Sequence, residues 1–114
     1  MTKQSFRFTF AFLFLLVTGV LAYAQVQAGN FAPGRLDEHY WKHGYQFGHI
    51  TEEQYLHDAQ ALLDASPGAD VLEKIRPDSD VEHFRESTGE FAVMTKRGRI
   101  RTYFKTDYIY WIRH

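Results

Sequence analysis

The chain contains no cysteine. Without thiols it has neither disulfide bonds nor the cysteine ligands of structural zinc sites, so packing alone must hold the fold together. It also lacks an excess of charge of either sign, because 13 Lys+Arg residues face 14 Asp+Glu residues and the formal net charge is −1 at pH 7. This balance excludes indiscriminate binding of polyanions and favours a local site.

Acidic residues are absent before Asp37, which sets the N-terminus apart. Two basic residues, an apolar run over residues 8–20 and an A-x-A pattern ending at Ala24 predict a cleaved secretory signal peptide over residues 1–24. The alternative is an uncleaved anchor, because the run approaches the roughly 17–20 apolar residues that span a bilayer. We expect cleavage, hence a periplasmic or secreted protein with no stable membrane insertion.

The rest of the chain is long enough for one hydrophobic core. Residues 25–34 contain two glycines and a proline and are expected to form an irregular lead-in. We therefore predict a single domain over residues 35–114.

Helical spacing of apolar residues marks two segments of this domain. Residues 35–47 have such spacing, and Gly48 fits the end of a helix. Residues 51–54 (Thr-Glu-Glu-Gln) form a capping box, and an apolar stripe over residues 55–63 follows it. The pattern predicts two N-terminal helices.

The pattern then changes to short segments separated by turn residues. We predict an α+β fold in which the two helices pack on a four-stranded antiparallel meander, with residues 108–112 as a candidate fifth strand. The strands are expected over residues 71–76, 81–86, 90–96 and 99–105. The expected core comprises Phe84, Phe91, Val93, Ile100, Leu56 and Leu62.

His39 and His43 are four residues apart, so both imidazoles project from one helix face, with Lys42 beside them. This pair is typical of general acid–base catalysis, because histidine titrates near neutral pH. Two alternatives are a zinc site, which Lys42 and the missing further ligands disfavour, and ordinary surface or capping histidines. We predict no metal and no cofactor.

A basic stripe occupies residues 96–105, which hold five cations and no anion. Strand alternation places Arg99, Arg101, Tyr103 and Lys105 on one face, where they are candidates to bind a phosphodiester and stabilise its charge. Alternation assigns Thr102 to the other face unless a β-bulge intervenes. The alternative is an edge strand that its cations protect from aggregation.

Together the two features predict a metal-independent ribonuclease that cleaves RNA by attack of the 2′-oxygen. One histidine takes the proton from the 2′-hydroxyl, another protonates the leaving oxygen, and the cations stabilise the phosphate. The product is a 2′,3′-cyclic phosphate. The alternatives are a non-catalytic exported binding or structural module and a histidine-dependent metal protein.

An ordered series of motifs runs from Leu36 to Lys105. The sequence reads H-x-x-K-H-G-x-x-F-G from His39 and T-x-x-x-Y-L from Thr51, followed by D-V, T-x-E-F and G-x-I-R-T-Y-F-K. In these motifs the chain resembles toxin-tip domains of bacterial polymorphic toxins and phage proteins. The resemblance implies the barnase–EndoU–colicin–RelE group of ribonuclease folds, in which helices precede a four-stranded antiparallel sheet.

The resemblance also implies site residues. The positions that match the motifs are His39, Lys42, His43 and Gly44 on the helix and Arg101, Thr102 and Lys105 on the last strand, and the match does not select which of them acts. We expect His39, His43, Lys42, Arg101 and Thr102 to be the catalytic residues. A toxin effector is the implied role. The candidate partners are RNA, tRNA included, and a cognate immunity protein.

Overall fold

The structure is a computed structural model that describes residues 26–114. The predicted signal peptide lies outside the described residues. Along the chain, two helices are followed by four strands and then by a short helix. They are helix α1 (Arg35–His43), a 3-10 turn (Gly44–Phe47), helix α2 (Glu52–Asp64), strands β1 (Val71–Ile75), β2 (Val81–Arg85), β3 (Glu90–Met94) and β4 (Ile100–Lys105), and helix α3 (Tyr108–Arg113).

The four strands form one antiparallel sheet in the order β1-β2-β3-β4. Each strand pairs with the next one along the chain, as expected when short turns connect them. The α+β class and the antiparallel four-stranded meander are therefore confirmed. None of the helices among residues 26–114 is long and apolar enough to cross a membrane.

The helix boundaries follow from local chemistry. At the start of α2 the side chain of Thr51 accepts a hydrogen bond from the backbone N–H of Gln54 at 3.1 Å, as the capping box predicts. The first predicted helix is α-helical only as far as His43 and then tightens into the 3-10 turn, which ends at Gly48 with φ of 87°. Positive φ is readily adopted by glycine, which explains the sharp exit toward α2.

The sheet separates two clusters of buried residues. On the face packed by α2, called the helix-side face, ten residues form the larger cluster. They are Phe31, Tyr55, Ala59, Leu62, Leu63, Val71, Ala92, Met94, Ile100 and Tyr103. On the opposite face, called the α3-side face, Trp111 of α3 covers Phe84, Phe91 and Val93.

This division corrects the predicted core. Phe84, Phe91 and Val93 are buried as expected, but they lie on the face of the sheet opposite Leu62. Leu56 is only half-buried. All of β3 is buried because both faces of the sheet are covered at this strand, and such a strand shows no alternation in its sequence.

The candidate fifth strand is wrong, because Tyr108–Arg113 is helix α3. Asp107 begins the helix by accepting a hydrogen bond from the backbone N–H of Tyr110 at 2.8 Å. The many β-favouring residues of the segment suggested a strand. Packing of Trp111 on the sheet face decides for the helix, since tertiary contacts override local propensity.

The lead-in is irregular but fixed to the β3–β4 turn. The backbone N–H of Gly29 donates to the carbonyl of Gly98 at 2.7 Å, and Phe31 forms a parallel bridge with Ile100. Gly98 has φ of 93°, and a Cβ atom there would lie 2.3 Å from the carbonyl oxygen of Gln27. Only glycine allows this close approach.

Candidate active site at the β4 edge

Helix α1 places the predicted histidine pair beside the edge strand β4. The imidazole of His39 lies 5.1 Å from the ring of Phe31 and 6.1 Å from that of His43, measured between ring centroids. The His43 ring stacks on Phe104 of β4 at 5.1 Å. These four rings, Phe31, His39, His43 and Phe104, are called the β4-edge site.

Both imidazoles are half-buried, and this environment makes them weaker bases. Burial lowers the pKa of His39, and the positive charges of Arg35 and Lys42 lower it further against the opposing effect of Glu38. Burial also lowers the pKa of His43, as do His39 and Lys42. Both shifts favour the neutral imidazole, which is the form that accepts a proton, and make the protonated form a stronger acid.

One ring nitrogen of the pair is left without a partner. The Nδ1 atom of His39 is buried and makes no hydrogen bond among the residues that the structure describes. A buried polar atom without a partner costs free energy, and functional sites are one place where such atoms persist.

Arg101 lies at a β-bulge in β4. Val93 pairs with Thr102 and Met94 pairs with Ile100, so that no residue of β3 stands opposite Arg101. The Nε atom of Arg101 donates to Oδ2 of Asp80 at 2.5 Å. The bulge allows Arg101 and Thr102 to lie toward the same face of the sheet, which simple alternation forbids.

Tyr103 corrects the predicted open basic face. Its side chain is fully buried on the helix-side face, where its hydroxyl donates to Glu90 and its carbonyl accepts from the hydroxyl of Tyr55. Burial raises the pKa of the Tyr103 phenol, and the hydrogen bond to Glu90 raises it further. Tyr103 therefore belongs to the core and cannot contact a substrate without unfolding of this face.

The bulge explains the error. It inserts one residue into the alternation, so Ile100 and Tyr103 lie on the same buried face although they are three positions apart. A strict period of two had placed these residues on opposite faces.

The other predicted residues differ in exposure and in the groups that they contact. Lys42 and Arg99 are exposed, and Thr102 is half-buried. The Nζ atom of Lys105 lies 5.4 Å from the ring centroid of Phe47, the last residue of the 3-10 turn. Neither imidazole of the pair forms a hydrogen bond with Arg101 or Lys105 within residues 26–114.

A cleft beside Phe31 holds two of the predicted cations, and neither histidine of the pair lines it. Phe31, which contacts His39, also lines a cleft of about 630 Å³ beside the β3–β4 turn. Arg99 and Arg101 line the same cleft, together with Lys96 and Arg97. The structure thus divides the basic stripe: Arg99 and Arg101 lie in this cleft, whereas Lys105 lines a separate pocket with Phe47 and Tyr103. The histidine pair is linked to the cleft only through Phe31, which His39 contacts.

Sequence reasoning missed the aromatic residues that extend the site. Phe104 contacts Tyr110 at 5.5 Å, and Tyr110 stacks on His114 at 3.9 Å between ring centroids. The signal was present in the aromatic content of the C-terminus, but its assignment to a strand hid the helical spacing of Tyr110 and His114.

Within residues 26–114, no group of three or more His, Cys, Asp or Glu side chains is arranged to hold a metal ion. No protein-family model matches the chain, and no curated protein is significantly similar to it.

Proposed function

We propose that the protein is an exported, metal-independent ribonuclease that acts as a toxin effector and uses His39 and His43 as its acid–base pair. The observation that carries the proposal is the pair itself: two half-buried imidazoles lie 6.1 Å apart and contact the aromatic rings of Phe31 and Phe104. Cleavage of RNA requires one proton acceptor and one proton donor on either side of a phosphate. The separation of the two rings suits that arrangement.

The reaction begins when one neutral imidazole removes the proton of the ribose 2′-hydroxyl. The 2′-oxygen then forms a bond to phosphorus, and the bond between phosphorus and the 5′-oxygen breaks. The second imidazole, in its protonated form, gives its proton to the 5′-oxygen. The products are a 2′,3′-cyclic phosphate and a 5′-hydroxyl, and both histidines have exchanged their protonation states.

The surrounding residues supply charge and stacking. Lys42 lies on α1 next to His43, and Arg99 and Arg101 lie at the start of β4 in the cleft that Phe31 lines. Lys105 lies at the other end of β4, beside Phe47. Cations near the phosphate stabilise the extra negative charge of the pentacoordinate state. Phe104 lies against His43 and offers a ring on which an unpaired base can stack.

Incubation of the purified mature domain with RNA in EDTA tests the proposal. We expect cleavage with cyclic phosphate ends, and we expect His39→Ala or His43→Ala to slow it by about 10²–10⁴-fold. His57→Ala is the matched control, because His57 is an exposed histidine of α2 away from this edge. Equal rates for both site variants and wild type contradict the mechanism.

Export is tested separately. Intact mass or N-terminal sequencing of the exported protein should place its first residue near Gln25. Recovery of a membrane-bound chain that retains residues 1–24 would favour the anchor instead.

A non-catalytic binding module is the second candidate. The observation that favours it is the pairing of Arg101 with Asp80, because a cation already paired stabilises a transition state less than a free one. Wild-type protein that binds RNA but cleaves none of the RNAs tested would support the binding module over the ribonuclease.

A further inference from the structure

The α3-side face of the sheet is covered over only part of its area. Trp111 packs on Phe84 and Phe91, which lie toward one end of the strands. Toward the other end the same face carries charged residues. They are Arg76, Asp80, Glu82 and Arg101, called the arginine–carboxylate cluster.

The cluster consists of two arginine–carboxylate pairs, one on each side of β2. Glu82 lies on β2, and Asp80 is the residue immediately before this strand. The Nε atom of Arg76 donates to Oε2 of Glu82 at 2.5 Å from the β1 side. The Nε atom of Arg101 donates to Oδ2 of Asp80 at 2.5 Å from the β4 side.

The carboxylates are buried and the guanidinium groups are not. The side chains of Asp80 and Glu82 are 5% and 0% exposed, whereas those of Arg101 and Arg76 are 55% and 35% exposed. Each buried carboxylate therefore holds one arginine by its Nε–H group. Within residues 26–114 the terminal nitrogens of both arginines have no hydrogen-bond acceptor, which leaves them for a ligand.

Stability does not account for this arrangement. A buried ion pair gains little over apolar side chains of similar size, because both charges lose their hydration. In addition, Oε1 of Glu82 is buried and has no hydrogen-bond partner among the described residues. A carboxylate with one unpaired oxygen is costly in a core, so a role in binding is the better explanation.

The charges around the cluster indicate an anionic ligand. The cleft that contains Arg101 and Asp80 is also lined by Lys96, Arg97 and Arg99, and Asp78 is the one other carboxylate there. Four cations thus face two carboxylates. Guanidinium groups fixed at Nε present their remaining N–H groups as a fork, which matches the oxygens of a phosphate.

We infer that the exposed guanidinium groups of Arg101 and Arg76 bind phosphate groups of RNA on the part of the sheet that α3 does not cover, with Asp80 and Glu82 as the residues that position them. The identity of the ligand rests on the proposed function. The location agrees with it, because Phe31 lines the cleft of Arg101 and contacts His39. The proposal therefore assigns the cluster to a phosphate other than the one at the histidine pair.

Binding of a 2′-O-methyl RNA oligonucleotide tests the inference, because the blocked 2′-oxygen prevents cleavage and separates binding from catalysis. The affinity is measured by fluorescence anisotropy at several salt concentrations. We expect Arg76→Gln and Arg101→Gln each to weaken binding about tenfold and to reduce the salt slope by about one. Arg113→Gln removes the same charge from the exposed end of α3 and should change the affinity less than about threefold.

Asp80→Asn separates positioning from simple electrostatics. The substitution makes the protein more positive, so an unstructured basic surface would bind RNA more tightly. If Asp80 positions Arg101, binding weakens instead. Tighter binding by this variant overturns the positioning role.

Each single arginine variant leaves a buried carboxylate unpaired, so folding needs its own control. The double variants Arg76→Gln/Glu82→Gln and Arg101→Gln/Asp80→Asn remove both charges of a pair and should stay folded by circular dichroism. Folded double variants that bind as tightly as wild type overturn the inference, and so does wild-type protein that does not bind the oligonucleotide. If wild type binds but never cleaves RNA and the arginine variants bind weakly, the site stands and the ribonuclease function falls.

Discussion

The two faces of the sheet differ in how their buried polar groups are paired. On the helix-side face, the buried polar groups are matched: Tyr55 donates to the carbonyl of Tyr103, and Tyr103 donates to Glu90. On the α3-side face, an aromatic cluster lies beside buried carboxylates, one of which has an unpaired oxygen. A small domain needs one continuous core for stability, and here the helix-side face supplies most of it.

The difference shows where a small protein has room for function. Because the helix-side face provides the larger core, the α3-side face needs only the short helix α3 over its apolar part. The remaining area can carry charges whose desolvation the larger core offsets. Substitutions that affect one face and spare the other test this division.

Trp111→Ala should have the largest effect on stability, because it removes the residue that covers the α3-side cluster. Trp111 is 4% exposed and stacks on Phe84 at 5.8 Å. We expect a loss of about 3–5 kcal/mol in the free energy of unfolding, measured by urea denaturation. Ile112→Ala on the same helix is 56% exposed and is the control. A loss below about 1 kcal/mol for Trp111→Ala would mean that packing of Trp111 on this face contributes little to stability.

Tyr103→Phe tests the matched polar groups of the helix-side face. The variant keeps the ring but removes the hydroxyl that donates to the buried Glu90 carboxylate. We expect a loss of about 1–3 kcal/mol in the free energy of unfolding. Tyr45→Phe removes a hydroxyl from a side chain that is 78% exposed and should change stability little. Equal effects of the two variants would show that the buried hydroxyl contributes nothing specific.

The histidine pair on α1, beside the edge strand β4, makes the stability of the protein depend on pH. Its pKa values are lowered in the folded protein, so between those values and about 6.5 the unfolded chain binds more protons than the native one. The free energy of unfolding should therefore fall as the pH decreases through this window. Denaturation at pH 7.5, 6.5 and 5.5 should show a shallower fall for His39→Gln/His43→Gln. A wild-type curve parallel to that of the variant would exclude the linkage.

Arg35→Gln should have the smallest effect. Its ion pair with Glu38 lies outside both faces, with side chains 57% and 59% exposed, and we expect a change within about 0.5 kcal/mol. Loss of the positive charge should nevertheless raise the pKa of His39, which NMR titration of the imidazole would detect. A large loss of stability would show that α1 depends on this surface pair.

Local patterns predicted the parts of the fold that local chemistry determines. The capping box at Thr51 marked the start of α2, and the turn residues separated four strands correctly. The histidine spacing also placed His39 and His43 side by side, because a helix fixes the positions of residues four apart.

The rest depended on contacts that are distant in sequence. The bulge at Arg101 belongs to the register between β3 and β4, in which Arg101 has no partner on β3, and it places Tyr103 in the core. Helix α3 is stabilised by the packing of Trp111 on the sheet. This contact is distant in sequence, so no local pattern predicts it. The arginine–carboxylate cluster joins β1, β2 and β4, so only the assembled sheet reveals it.

The outer edge of β4 has a further consequence for self-association. The amide side chain of Gln46 accepts from the backbone N–H of Lys105 at 3.0 Å and donates to its carbonyl at 3.2 Å, as a neighbouring strand would. At the other end of the strand, Ile100 donates to the carbonyl of Asn30 at 3.1 Å. A second molecule therefore finds the ends of this edge already hydrogen-bonded, and addition of strands in a growing fibre would have to start at β1.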